Sequence, residues 1–175
     1  LEDFYGSLGE IYKDTVDIIM CESMSSIFEG RNASGVAKEF SERVWLSWTN
    51  RGHQPDQLPS TEALSKAVDF SIEADVECTL INCSHADMAS NSIKELKRAS
   101  RFGIFANSST FKEVDLSIAT KDVDAIHHLN SEKISANEYA MIALSWVKEG
   151  AFVVGGCCGT TVEHTRQIKL LMDRL

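Results

Sequence analysis

The sequence has no long apolar run. No stretch approaches the roughly 20 residues needed to span a bilayer, so no transmembrane helix is expected. Proline is scarce: Pro55 and Pro59 are the only two. Both fall in one polar stretch, which leaves helices elsewhere free of breaks. Basic clusters are also missing. Acidic residues outnumber basic ones, 26 to 17, for a net charge of −9. That balance argues against a nucleic-acid groove or an anionic membrane surface as partner. Leu1 to Glu10 lacks the basic stretch and apolar core of a secretory signal. The first residue is not Met, so the chain is expected to begin inside a longer reading frame. An even cysteine framework is absent too. The five cysteines are Cys21, Cys78, Cys83 and the adjacent Cys157 and Cys158. An odd count with an adjacent pair suits reduced thiols: metal ligands, catalytic groups or buried apolar residues. What remains is ordinary globular composition, 43% hydrophobic and 25% charged over 175 residues. One domain covering 1–175 and a cytoplasmic location are expected.

Short apolar runs alternate with amphipathic stretches. The runs are Val16–Cys21, Val44–Thr49, Cys78–Cys83, Phe102–Asn107 and Phe152–Cys158. Before the third, Leu64, Ala67, Val68, Ser71 and Ile72 are spaced by threes and fours, as on one face of a helix. Ile93, Leu96 and Ala99 precede the fourth. Before the fifth, Ser135 and Glu138 form a capping box. Tyr139, Ile142, Ala143, Trp146 and Val147 make its apolar stripe, and Gly150 sits at the C-terminal cap. A last helix is expected over 162–174 with Thr165, Ile168, Leu171 and Met172 inward. Continuous apolar strands separated by helices imply a parallel sheet covered by helices. Two polar connections, 50–60 and 108–130, follow strands, at the end where such folds build their sites.

The chemistry-bearing residues fall at the strand ends. Glu22 ends the first strand, Cys83 the third after Asn82, Asn107 the fourth, and Cys157 with Cys158 the fifth. In a closed parallel barrel these ends share one mouth. Three thiols at one point form a soft anionic site that selects zinc over magnesium, calcium or manganese. Three protein ligands leave the fourth tetrahedral position open, the pattern of a catalytic zinc. Adjacent residues of a strand point to opposite faces, so Cys157 and Cys158 reach one metal only across a sharp bend. Gly155, Gly156 and Gly159 permit it.

Gly155-Gly156-Cys157-Cys158-Gly159-Thr160-Thr161, followed by Glu163-His164, resembles the Gly-Gly-Cys-Cys-Gly signature of the homocysteine S-methyltransferase family. Asn82-Cys83 is similar to that family's Asn-Cys pair, and Cys21-Glu22-Ser23 to its Glu-Thr element, with Ser23 in place of Thr. Leu58-Pro59-Ser60, with Glu62-Ala63-Leu64, resembles the loop and helix after its fifth strand. The resemblance implies a (β/α)8 TIM-barrel type of α/β fold, here strands four to eight with the first three absent. It implies Zn2+ on Cys83, Cys157 and Cys158, with Glu22, Asn82 and Asn107 contacting substrate and Glu22 holding the amino group. The implied reaction is attack of the zinc-bound L-homocysteine thiolate on a sulfonium or ammonium methyl donor, S-methylmethionine favoured, giving methionine. The missing strands imply an N-terminal complementing segment or a homo-oligomer. The rival expectation is a non-catalytic zinc-binding remnant, or a subunit needing such a segment. A thiol redox protein cycling Cys157 and Cys158 is the third.

The remaining candidates have plainer readings. Cys21 and Cys78 are expected as buried apolar residues. His85 reads as a loop histidine near the Cys83 strand, and His164 as facing solvent or packing on the last helix. His127 and His128 read as exposed. Trp45, Trp48 and Trp146 read as packing residues.

Overall fold

The computed structural model describes residues 2–111 and 131–174; His127 and His128 lie outside them. The elements run α1 Glu2–Tyr12, β1 Ile19–Met24, α2 Ile27–Phe40, β2 Val44–Trp48, α3 Leu64–Glu73, β3 Cys78–His85 and α4 Ala86–Asn91. They continue with α5 Ile93–Leu96, β4 Phe102–Asn107, β5 Ser109–Phe111, β6 Ser131–Lys133, α6 Ala136–Lys148, β7 Val153–Gly156 and α7 Val162–Met172. The main sheet is parallel, in the order β1-β2-β3-β4-β7. No described helix is long and apolar enough to cross a membrane.

The central strands are buried on both faces, as their unbroken apolar runs require. Leu46, Trp48, Leu80, Ile81 and Ile104 are fully buried. The tryptophans enter this core only with their ring N–H satisfied. Trp48 donates to Ser71 Oγ at 3.0 Å and Trp146 to Ser90 Oγ at 2.7 Å. β1 and β7 lie at the two edges of the sheet, and β7 is only half-buried. Helix α6 begins with the expected capping box at Ser135 and Glu138. Gly150 follows its end at φ +101°, the left-handed cap that glycine adopts without strain.

Several details depart from the sequence-based expectation. β1 begins at Ile19, not Val16, because its pairing starts where Ile19 meets Val44; Val16 is exposed. The helical stretch before β4 is two helices, divided at Ser92. There the Ser92 hydroxyl bonds Met88 O and Pro55 O, and Asn50 Nδ2 donates to Ser92 Oγ. β7 stops at Gly156, so both cysteines lie beyond the strand. In α7 His164 is buried and Thr165 exposed. The imidazole turns back to cap the helix, Nδ1 accepting from the Thr161 N–H at 3.1 Å, and its ring packs edge-on against Tyr139. β5 and β6 form a separate antiparallel pair that no apolar run announces.

Candidate metal centre

Each strand end owes its shape to local hydrogen bonds. At β3, pairing with β4 shifts register between Asn82 and His85. Cys83 occupies that irregularity at φ +52°, a left-handed conformation unusual for a residue with a Cβ. Asn82, 2% exposed, anchors the bend. Its Oδ1 accepts from Ser23 N–H at 2.9 Å and Ser47 Oγ at 2.6 Å, and its Nδ2 donates to Ser23 Oγ at 2.8 Å. Three strand ends are thus tied through one buried amide. Ser23 is itself left-handed, at φ +59°.

Beyond β7 the Cys157 N–H continues the ladder to Ala106 O at 2.9 Å, and the chain then turns. Thr160 N–H and Oγ close the turn on Cys157 O at 3.2 and 2.7 Å. Gly159 carries the reversal at φ +77°. Gly156 is the other requirement, since a Cβ there would stand 2.5 Å from the Thr160 side chain. Asn107 Oδ1 receives the Cys158 N–H at 3.0 Å, and Ser108 N–H donates to Cys158 O at 3.0 Å. The expected bend is therefore present, held from β4.

These two constructions bring Cys83, Cys157 and Cys158 together, their sulfurs within 4.8 Å of one another. Cys83 Sγ and Cys158 Sγ are 3.6 Å apart although 75 residues separate them in the chain. Thiolates bound at about 2.3 Å on corners of a tetrahedron stand about 3.8 Å apart, so the donor set fits one soft metal ion. Cys158 is exposed, and Cys83 and Cys157 half-buried. Burial, and then the neighbouring Cys157 sulfur, push the Cys83 thiol up to about 12. Burial and Cys158 raise Cys157 as well. Charge is hard to place on these sulfurs without a cation to balance it. Cys21 and Cys78 are buried in the sheet, as expected.

Glu22 does not end β1, which runs on to Met24; it is exposed within the strand and lines a cavity of about 330 Å³ between α1, β1 and α2, with Tyr5, Tyr12 and Glu29. Cys21 lines it, whereas Cys83, Cys157 and Cys158 do not. His85 Nδ1 lies 2.9 Å from Ser109 Oγ, and its ring meets Phe111 edge-on. Two hydrogen-bonding roles were not read from the sequence, although Tyr139 falls on the apolar stripe and Glu62 in the loop-and-helix motif. Tyr139 OH reaches Ala106 O and Gly155 O. Glu62 Oε2 accepts from Ile27 N–H at 2.9 Å, fixing the loop after β2 over the start of α2. Nothing in local sequence signals either bond, because each partner comes from a distant segment.

Comparison with known proteins gives one family model, a curated relative and solved structures of similar fold. The family model described as Homocysteine S-methyltransferase matches residues 1–172. Homocysteine S-methyltransferase YbgG of Bacillus subtilis is 24% identical over 155 residues, covering 87% of this chain and 45% of the relative. The apo form of the homocysteine methyltransferase MmuM from Escherichia coli superposes with a TM-score of 0.67 at 17% identity. That match covers 97% of this chain and 57% of MmuM. The metallated form of MmuM gives 0.66 at 16% identity, covering 97% and 52%. At such identities the structural likeness shows the fold, a (β/α)8-barrel type. The chain spans about half the length of the relatives it matches.

Proposed function

Because the chain belongs to the homocysteine S-methyltransferase family, we propose that Cys83, Cys157 and Cys158 hold Zn2+ for methyl transfer to L-homocysteine. The protein they serve moves a methyl group from a sulfonium or ammonium donor, S-methylmethionine favoured, to the homocysteine thiolate, giving methionine. The observation that carries this reading is the convergence of three sulfurs within 4.8 Å from two distant strand ends. Three-thiol sites suit zinc, and three ligands leave one position for a substrate sulfur. Bound there, zinc supplies Lewis acidity that favours the thiolate of an incoming thiol at neutral pH.

The chain's own residues bind and orient. Cys83 comes from the left-handed bend after Asn82, and Cys157 and Cys158 from the turn closed by Thr160. Asn107 holds the Cys158 amide, and Asn82 ties the Cys83 bend to Ser23, next to Glu22. Substrate contact is proposed for Glu22, Asn82 and Asn107. For Glu22 that contact is to the amino group of homocysteine. The reaction is placed in the cytoplasm, where thiols stay reduced, within methionine biosynthesis. The edges of β1 and β7 are proposed to meet an N-terminal complementing segment or a second copy of the chain. A zinc-binding role without catalysis is the alternative.

Elemental analysis of the purified chain, beside Cys157→Ser and Cys21→Ser, tests the reading. About one zinc per chain is expected in the unaltered protein and in Cys21→Ser, and almost none in Cys157→Ser. Homocysteine methylation assays with S-methylmethionine and with betaine then follow. Equal zinc in Cys157→Ser and the unaltered chain would refute the three-thiol site.

A further inference from the structure

Tyr139 stands behind the thiol cluster on α6 and is fully buried. Its phenolic oxygen is 2.7 Å from Ala106 O on β4 and 2.8 Å from Gly155 O on β7. A phenol has one hydrogen to donate, so the two carbonyls share it. Ala106 O also receives the Cys157 N–H at 2.9 Å. The atom that fixes the first residue beyond β7 is therefore the atom Tyr139 grips. β7 is an edge strand with one paired neighbour, β4. Its last residues are Gly155 and Gly156, which offer no side chain to lock them, so a clamp from α6 has work to do. The ring is held on two sides, by Trp146 and by His164, each edge-on with centroids 5.7 Å away. Burial raises the phenol's pKa, and the nearby Cys157 adds to the effect, so the phenol keeps the hydrogen it donates.

We infer that Tyr139 is a positioning residue for the metal centre: through the Ala106 and Gly155 carbonyls its hydroxyl sets where the Cys157 sulfur stands relative to Cys83 and Cys158. The inference rests on the zinc reading given above, but the geometry it describes exists without metal. It differs from a packing role in what the hydroxyl alone should change. Tyr139→Phe keeps the ring and its two aromatic neighbours and removes only the shared hydrogen bond. Trp48→Phe is the matched control. It likewise removes one buried hydrogen bond, from the indole N–H to Ser71 Oγ, but its ring packs on Phe70 and not on Tyr139.

Zinc affinity of the folded variants, measured by chelator competition, decides between the roles. Tyr139→Phe is expected to bind zinc about three- to tenfold more weakly. Trp48→Phe is expected to melt at lower temperature and bind zinc as the unaltered chain does. Arsenite, which condenses with three thiols and releases three waters, repeats the comparison without zinc. If the unaltered chain takes up arsenite but no zinc, the zinc reading fails and the Tyr139 inference is judged on arsenite. Equal affinities of Tyr139→Phe and the unaltered chain for both probes would overturn the inference, as would uptake of neither probe by the unaltered chain. If Tyr139→Phe does not fold, meta-fluorotyrosine placed at the chain's three tyrosines gives the second readout. The fluorine resonance of Tyr139 should shift when the thiols are occupied, and those of Tyr5 and Tyr12 should not. An unmoved Tyr139 resonance overturns the inference.

Discussion

Ser23 and Asn82, 59 residues apart, hold each other through two hydrogen bonds: Ser23 N–H to Asn82 Oδ1 at 2.9 Å and Asn82 Nδ2 to Ser23 Oγ at 2.8 Å. The pair joins the end of the edge strand β1 to the bend that presents Cys83. Ser47 adds a third bond from β2. Asn82→Ala strips all three and leaves buried polar groups without partners. The expected cost is about 2–3 kcal/mol, read as a lower urea midpoint at unchanged slope. Zinc affinity should fall as well. Asn82→Asp keeps the acceptor for Ser23 N–H and Ser47 and should lose less.

The turn beyond β7 makes a second prediction. Gly159 lies at φ +77°, and a Cβ there would stand 2.7 Å from Ser108 Oγ. Gly159→Ala therefore meets two penalties, backbone strain of about 1–2 kcal/mol and the clash with Ser108. Pairing it with Ser108→Ala relieves only the clash. In chelator competition the double variant should recover part of the lost zinc affinity, and full recovery would show that the left-handed backbone is unimportant.

Stability should depend on pH through Cys21 and Cys78. Burial pushes these thiols up from 9.0 to about 11 and about 12. Above pH 9 the unfolded chain gives up these protons while the folded chain keeps them. Stability present below pH 9 is thus lost as pH rises through 11 and 12, at no more than about 1.4 kcal/mol per pH unit per thiol. Urea midpoints at pH 8 and 10.5 measure the slope. Cys78→Ala should make the decline shallower, and an unchanged decline would sink this account.

Metal uptake should run the opposite way with pH. Cys83 and Cys157 are held protonated by burial and by neighbouring sulfur. Zinc must displace these protons, so binding near neutrality should release roughly two protons per ion from this pair. Calorimetry in buffers of different ionisation enthalpy counts them. Affinity should strengthen from pH 6 to pH 8, and a flat profile would mean that the thiols are not the ligands.

Much of this was legible in the sequence for physical reasons. A strand buried on both faces must be apolar along its length, so β2, β3 and β4 stand out as runs. The Ser135–Glu138 cap is local, and spacing alone exposes it. The glycines around Cys157 and Cys158 signal a bend because few other residues can make one. The rest depends on partners far along the chain. Ser92 divides a helical stretch because Asn50 and Pro55 reach it from the loop after β2. β5 pairs with β6 through a three-residue, mostly polar segment in which no periodicity can register. His164 is buried because Tyr139 offers its ring, and Asn82 is a tie between strands because Ser23 and Ser47 come to meet it.

The thiols flank β4, with Cys83 on β3 to one side and Cys157 and Cys158 beyond β7 on the other. A metal shared between them closes a loop of 75 residues. In polymer terms it is a reversible cross-link. Chain-entropy reasoning for a covalent bridge of that span gives about 4–5 kcal/mol taken from the unfolded ensemble. Loading and stripping the metal would then set how long the C-terminal half of the sheet survives between openings, whatever chemistry the fourth coordination position serves.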